Sequence, residues 1–253
     1  MKENILCYGV DALSVEDCVE SVFDILNNNN LRCNWLACLN PHSYVVSLED
    51  EVFACALKDA DWLVPDGIGI VMASRMLGGM IRNRVTGSDI FYGLHQRMNA
   101  AGGMSVFFLG ASEETLAFIR ARMATDYPGI RVAGTYSPPF KPTYSPVDLD
   151  KMISAINAAA PDVLWVGMTA PKQEQWIYNN RAKLNVKFVG AIGAVFDFYI
   201  GRVKRSHPVF QRLGLEWLPR LLQQPRRLWR RMFVSAPVFV WHVFRQKLGF
   251  AKN

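Results

Sequence analysis

A chain of 253 residues with 51% apolar side chains is long enough to bury one large core, or a core plus an appendage. Its net charge of +6 is unevenly placed: residues 201–253 hold 12 Lys and Arg against the single acid Glu216, and the first 200 residues sum to −5, so the basicity describes the tail and not the core. Five cysteines (Cys7, Cys18, Cys33, Cys38, Cys55), odd in number and without C-x-x-C spacing, argue against a disulfide framework and a zinc site and for reduced thiols in a cytoplasmic protein; Met1 to Asn4 open no signal peptide.

Ile5 to Val10 reads as a first strand, and Ser14 with Asp17 as the cap of a helix that ends at the asparagine run Asn27 to Asn30. Trp35 to Leu39 is a second strand, closed by Asn40-Pro41, and Ser43 to Leu57 has one helical pattern. Asp61 to Val64 is a third strand, ending at Pro65-Asp66-Gly67-Ile68-Gly69. An aspartate at the carboxyl end of a strand lies where open α/β sheets bind ligands, and the flanking Pro65 and Gly67 aim its side chain. Capping of the next helix is the alternative. Asp59-Ala60-Asp61 precedes a strand instead of ending one, so it reads as a solvated turn and not as a metal-and-nucleotide pair.

A helix over Ile70 to Leu77 leads to Arg82 and Arg84, the latter able to reach a phosphate or a sugar carboxylate. Thr86 or Ser88 caps a helix running to about Ala100. Ser105 to Leu109 is a buried strand that hands over to a helix at Gly110-Ala111-Ser112 without the G-x-G-x-x-G of dinucleotide sites. Ile130 to Gly134 is a strand, Tyr136 to Pro146 a Pro- and Tyr-rich loop suited to a flap, and Asp148 starts a helix.

Asp162 to Val166 is a strand that stops at Gly167, with Thr169 or Ala170 capping a helix that carries Lys172, Gln173 and Glu174 in its first turn. Unpaired N–H groups at such a turn suit an anion, although ordinary βα turns have the same pattern. The strand near Val186 to Ala191 ends in a second glycine turn at Gly190 and Gly193, followed by Asp197, Gly201 and Arg205. Strands alternating with helices predict a mainly parallel, Rossmann-like sheet covered on both faces over residues 1–205. From Val209 onward, Arg alternates with Trp, Leu and Phe, and Met232 to Phe244 is too short to span a bilayer. Residues 206–253 are therefore expected to form a basic amphipathic helical appendage lying on a membrane surface with anionic lipid, with Arg220, Arg227 and Arg230 on one helical face. Packing on the core and a homo-oligomer interface are the alternatives; the apolar content argues against nucleic acid.

In order and spacing, Asn40-Pro41, Asp61 to Gly69, Arg84 with Gly87 and Asp89, Phe108-Leu109-Gly110, Gly167 with Pro171 to Glu174, Gly190 and Gly193 with Asp197 and Gly201, and Gly214 to Leu218 resemble the WecG/TagA/CpsF bacterial glycosyltransferases, glycosyltransferase family 26. The resemblance implies a metal-independent, inverting enzyme without a cofactor. It would move a sugar from a UDP-sugar to a polyprenyl-diphosphate-linked saccharide at the cytoplasmic membrane face, during synthesis of a cell-surface polysaccharide. It implies Asp66 as general base with Asn40 beside it. It also implies a nucleotide site at Gly110, Gly167, Thr169, Gln173 and the Asp197 region, and Arg220, Arg227 and Arg230 closing over the diphosphate. Arg84, Asp89 and Lys172 complete the expected substrate-binding set. Cys38 stands where many members have threonine, and Ser206-His207 where Ala-Pro is usual. The rivals are a membrane-associated nucleotide-binding scaffold without catalysis and a Rossmann oxidoreductase, the latter disfavoured by the missing fingerprint.

Overall fold

The computed structural model describes residues 1–28, 32–203 and 229–250. Six strands form one all-parallel sheet: β3 (Asn34–Leu39), β4 (Trp62–Pro65), β5 (Ser105–Gly110), β6 (Arg131–Tyr136), β7 (Val163–Gly167) and β8 (Phe188–Ala191), in the order β4-β3-β8-β7-β5-β6. Because all run the same way, every carboxyl end lies on one edge.

The expected first strand is instead a separate antiparallel hairpin, β1 (Lys2–Ile5) and β2 (Tyr8–Asp11). Leu6 and Cys7 turn it with φ of 51° and 66°, the paired left-handed geometry of a two-residue hairpin, made here without Gly or Asn. α1 (Val15–Asn27) is capped by Ser14, whose hydroxyl accepts from the Asp17 N–H, and ends at the asparagine run as expected. The single helix expected over 43–57 is two, α2 (Pro41–Ser47) and α3 (Glu51–Asp59); Asp50 restarts the second by accepting from the Phe53 N–H. Then come α4 (Ile68–Leu77), α5 (Gly87–Ala101, capped by Thr86), α6 (Glu113–Asp126), α7 (Pro146–Ala159), α8 (Lys172–Asn180), the short α9 (Val195–Tyr199) and α10 (Ala236–Lys247), which follows a π-turn at Arg231–Ser235. α8 opens behind Pro171 with no side-chain cap, so neither Thr169 nor Ala170 fills the role expected of it.

Period-2 strands sort their side chains to two cores. Trp35, Leu164 and Val166 meet α3, α4, α7, α8 and α10, whereas Leu36, Phe108 and Trp165 meet α1, α5, α6 and α9. Helices thus cover both faces, as the alternation of elements predicts. α10 lies against α2 and α4 and buries Phe239 and Val243, each worth about 1.5–3 kcal/mol. Tyr44 donates to or accepts from His242 Nδ1 at 2.6 Å, and Gln246 Oε1 accepts from the Leu6 N–H at 2.9 Å. These contacts fasten the last helix to the core and to the hairpin. Arg205, Arg220, Arg227 and the apolar stretch from Val209 to Leu222 lie outside the described residues.

Candidate active site

The carboxyl edge carries the site. β5 leads through α6 to the outer strand β6, whereas β7 leads through α8 to β8 on its other side. α6 and α8 belong to opposite cores, so the connections leaving β5 and β7 diverge at the topological switch point, the place where open α/β sheets bind ligands. The two strand ends are Gly110 and Gly167, paired in register. A Cβ on Gly110, whose φ is +113°, would lie 2.5 Å from the Gly167 carbonyl oxygen, and one on Gly167 would lie 2.3 Å from the Phe196 ring. Only glycine fits at either strand end, because the space a side chain would take is filled by the protein's own atoms.

At the other end of the same edge, β4 ends at Pro65 and β3 at Leu39, directly paired. The next residues, Asp66 and Asn40, continue side by side: the Asp66 N–H donates to the Leu39 carbonyl at 2.8 Å. Asn40 caps α2, its Oδ1 accepting from the N–H groups of His42 and Ser43. With the oxygen committed, the amide nitrogen faces Asp66, and Nδ2 stands 3.4 Å from Oδ2. Gly67, with φ of +101°, lets the chain leave Asp66 sharply enough to start α4. Gly67 itself occupies the cap position of α4 and has no side chain to offer it. Four strand spacings separate Asp66 from Gly110, about 19 Å in all, with Gly167 one spacing nearer.

Between the two ends, β8 gives way to Ile192 and Gly193. The Gly193 N–H donates to Gln173 Oε1 at 3.0 Å, and Gln173 Nε2 donates to Glu174 Oε1 at 2.9 Å. A Cβ on Gly87 would meet Ile192 Cα at 3.4 Å and Cys38 Sγ at 3.6 Å, so the start of α5 closes the floor from the other core. Desolvation holds the thiol of half-buried Cys38 well above the ordinary range, and the charges of Asp66 and Glu174 raise it further. The acidic groups therefore converge on this floor. Among the described residues, no three His, Cys, Asp or Glu side chains cluster as a metal would require.

The remaining expected residues take these places. Arg84 is half-buried in the loop whose next residue, Val85, donates its N–H to the Pro65 carbonyl at 3.0 Å; it is thus beside the Asp66 turn. Asp89 completes the α5 capping box, its Oδ2 accepting from the Thr86 N–H and hydroxyl. Thr169 is exposed on the turn after β7, and Asp197 is half-buried in the first turn of α9. Lys172 holds the Pro- and Tyr-rich loop: Nζ lies 3.7 Å from the Tyr144 ring centroid and donates to the Lys141 carbonyl. Ser137 Oγ, at the start of that loop, donates to the Ala111 carbonyl at 2.7 Å. The flap is thereby fixed to both glycine turns, with Phe140 fully exposed on it.

Arg230 is exposed just before the π-turn, which packs against α2. His42, two residues after Asn40, meets Ser235 Oγ at 2.9 Å, and burial, with the charges of Arg231 and Arg230, lowers its pKa to about 4. A neutral imidazole thus stands between Asn40 and the basic tail. Sequence reasoning assigned nothing to His42, and it named Glu174 only as part of a helix start. The signals that mark them, partners and burial, come from segments up to 193 positions away.

The D-x-D pair lies on the opposite edge and is not the solvated turn expected of it. Asp59 accepts from Trp35 Nε1 and Arg181, and Asp61 from the Trp35 N–H and Arg32. No helix among the described residues is long and apolar enough to cross a membrane.

A family model described as the glycosyl transferase WecG/TagA/CpsF family matches residues 3–253. The N-acetylglucosaminyldiphosphoundecaprenol N-acetyl-beta-D-mannosaminyltransferase of Bacillus spizizenii (strain W23) is 34% identical over 213 residues, covering 84% of this chain and 79% of that protein. The enzyme of the same name from Bacillus subtilis (strain 168) is 30% identical over 212 residues, with the same 84% and 79% covered. Its namesake from Staphylococcus aureus (strain MW2) is 24% identical over 248 residues, covering 97% of this chain and 93% of the relative.

Proposed function

The chain belongs to the WecG/TagA/CpsF family of glycosyl transferases, and from that premise we propose that it moves an N-acetylhexosaminyl group, N-acetylmannosaminyl first among candidates, from a UDP-sugar to an N-acetylglucosaminyl diphosphate on a polyprenol. The names of its relatives supply the acceptor and the sugar. One observation carries the reading: the Asp66–Asn40 pair and the Gly110 and Gly167 turns share one edge of one parallel sheet.

The donor's uridine would lie at the glycine turns, with its diphosphate running along the floor past Gln173 and Gly193 so that the anomeric carbon comes within reach of Asp66. Asp66 would take the acceptor hydroxyl proton while that oxygen attacks the anomeric carbon from the face opposite the leaving UDP, inverting the centre; such a base typically contributes roughly 10²–10⁴-fold. Asn40 would hold the carboxylate by its amide N–H. Charge developing on UDP would be met by main-chain N–H groups, Arg84 and the tail cations Arg220, Arg227 and Arg230, with no metal in the reaction. Of those three, Arg230 lies where its charge is felt at His42.

The same appendage would seat the enzyme on the cytoplasmic membrane face. Trp229, Phe233, Trp241, Phe244 and Leu248 are exposed along the last two turns and α10, beside Arg230, Arg231, Arg245 and Lys247. An apolar face rimmed by cations fits an interface with anionic lipid.

Transfer is tested by offering UDP-N-acetylmannosamine and other UDP-sugars with a polyprenyl-diphosphate N-acetylglucosamine acceptor, with and without EDTA. UDP binding with neither transfer nor donor hydrolysis would leave the scaffold reading in place. Sedimentation with phosphatidylglycerol vesicles, compared with neutral ones, tests the surface. A dimer in solution that ignores vesicles would assign the apolar face to a second copy.

A further inference from the structure

Glu174 is an expensive residue for its position. It is 3% exposed, its Oε2 has no hydrogen-bond partner, and among the described residues no cation acts on it. Burial pushes its carboxyl up to about 7, against an ordinary value of 4.5. An unpaired buried carboxylate costs far more than the apolar or amide side chain that would fill the same space. α8 does not need it as a cap, since the helix starts at Pro171 without one.

What Glu174 does engage is Gln173. That amide is itself 4% exposed and is held at both ends: Oε1 accepts from the Gly193 N–H, and Nε2 gives one hydrogen to Glu174 Oε1. A side-chain amide can rotate by half a turn with little change of shape. Here the Gly193 donor and the Glu174 acceptor permit one orientation only. Gly193 also sits beside β7, where an added Cβ would be 3.7 Å from the Met168 carbonyl oxygen. The oriented amide therefore stands between the tips of β7 and β8, next to the Gly167 turn, with its second N–H uncommitted among the described residues.

We propose that Glu174 is a positioning residue that locks the Gln173 amide so that its remaining N–H meets the donor diphosphate. The proposal rests on the reading of this edge as a UDP-sugar site. Carboxylate and carboxylic acid both retain an acceptor at Oε1, so the lock holds in either protonation state.

The experiment measures UDP affinity by calorimetry, with donor KM and kcat alongside, in the full-length protein. Glu174→Gln keeps an acceptor of the same length and is expected to bind UDP within about threefold of wild type. Glu174→Met, which fills the space but accepts nothing, is expected to weaken UDP binding and raise donor KM by about tenfold. Its kcat and acceptor KM should be unchanged and its Tm no lower, because the penalty of a buried acid is gone. In a Gln173→Ala background, Glu174→Met should cost nothing further, because its route is already cut. Should the methionine variant not fold, Glu174→Asp, which withdraws the carboxyl by one methylene, is expected to show the same loss. Wild-type UDP affinity in a folded Met or Asp variant, an equal loss in Glu174→Gln, or additive losses with Gln173→Ala would each overturn the proposal. Failure of wild-type transfer would sink the reading of the reaction instead, while the UDP measurements would still decide the role of Glu174.

Discussion

The two edges of the parallel sheet use the same residue types in opposite ways. At the amino edge, Asp59, Asp61 and Asp162 are each tied down by several donors. Asp162 accepts from the Ser105 N–H and hydroxyl and lies 3.5 Å from Lys187 Nζ; Asp59 and Asp61 share Arg181, Arg32 and both N–H groups of Trp35. At the carboxyl edge, Asp66 is met by an amide at 3.4 Å, and Glu174 is buried with half its carboxyl unmatched. Fully matched acids hold strands in place, whereas the buried acid Glu174, with one carboxyl oxygen unmatched, is held ready for a proton. The difference follows from parallel topology, which gathers one kind of strand end on one side and lets function accumulate there without disturbing the other.

This contrast can be broken by substitution. Asp66→Asn is expected to produce the largest change: transfer falls by roughly 10²–10⁴-fold while UDP affinity and Tm stay put. Near-wild-type turnover would place the base elsewhere. Next is the effect of pH on Glu174. The folded protein keeps that proton up to about pH 7, but the unfolded chain releases it near 4.5, so the fold loses stability as pH rises through this window. Glu174→Gln should therefore gain on wild type between pH 4.5 and 8, by on the order of 3 kcal/mol in denaturant unfolding. A constant difference across that range would mean the acid is not destabilising. Third, Asp61→Ala at the amino edge should cost about 2 kcal/mol, a fall in Tm of roughly 4–8 °C, because the Trp35 N–H and two arginines lose an acceptor. Its transfer rate per folded molecule should be unaltered; a rate defect would erase the distinction between the edges. Smallest is Trp241→Ser on the exposed face of α10, expected to weaken vesicle binding several-fold with no change in UDP affinity.

The parts legible in the sequence were those governed by local rules. Periodicity and glycine stops located all six parallel strands, and the position of Asp66 after a strand and before Gly67 marked its edge. The D-x-D pair was correctly placed before a strand, but its partner Arg181 is 122 positions from Asp59, so the ion cluster that replaces the solvated turn could not be seen. The hairpin was hidden because Leu6 and Cys7 adopt left-handed backbone without the usual turn residues. The split of α2 from α3 was readable in principle from Asp50, a good cap amid a continuous apolar pattern. Glu174 lay in a recognisable helix start, yet only tertiary packing decides that it faces inward and goes half unpartnered.

Asn40 is followed by Pro41, and this has a consequence for the working life of the enzyme. Asparagine side chains age by attack of the next backbone nitrogen on the amide carbon, forming a succinimide that opens to aspartate. Proline has no N–H to serve as that nucleophile. The amide facing Asp66 is thus shielded from spontaneous deamidation, which would otherwise convert a donor into a second negative charge against the base. Peptide mass spectrometry after weeks at mildly alkaline pH should find Asn40 intact while exposed asparagines elsewhere have gained a mass unit.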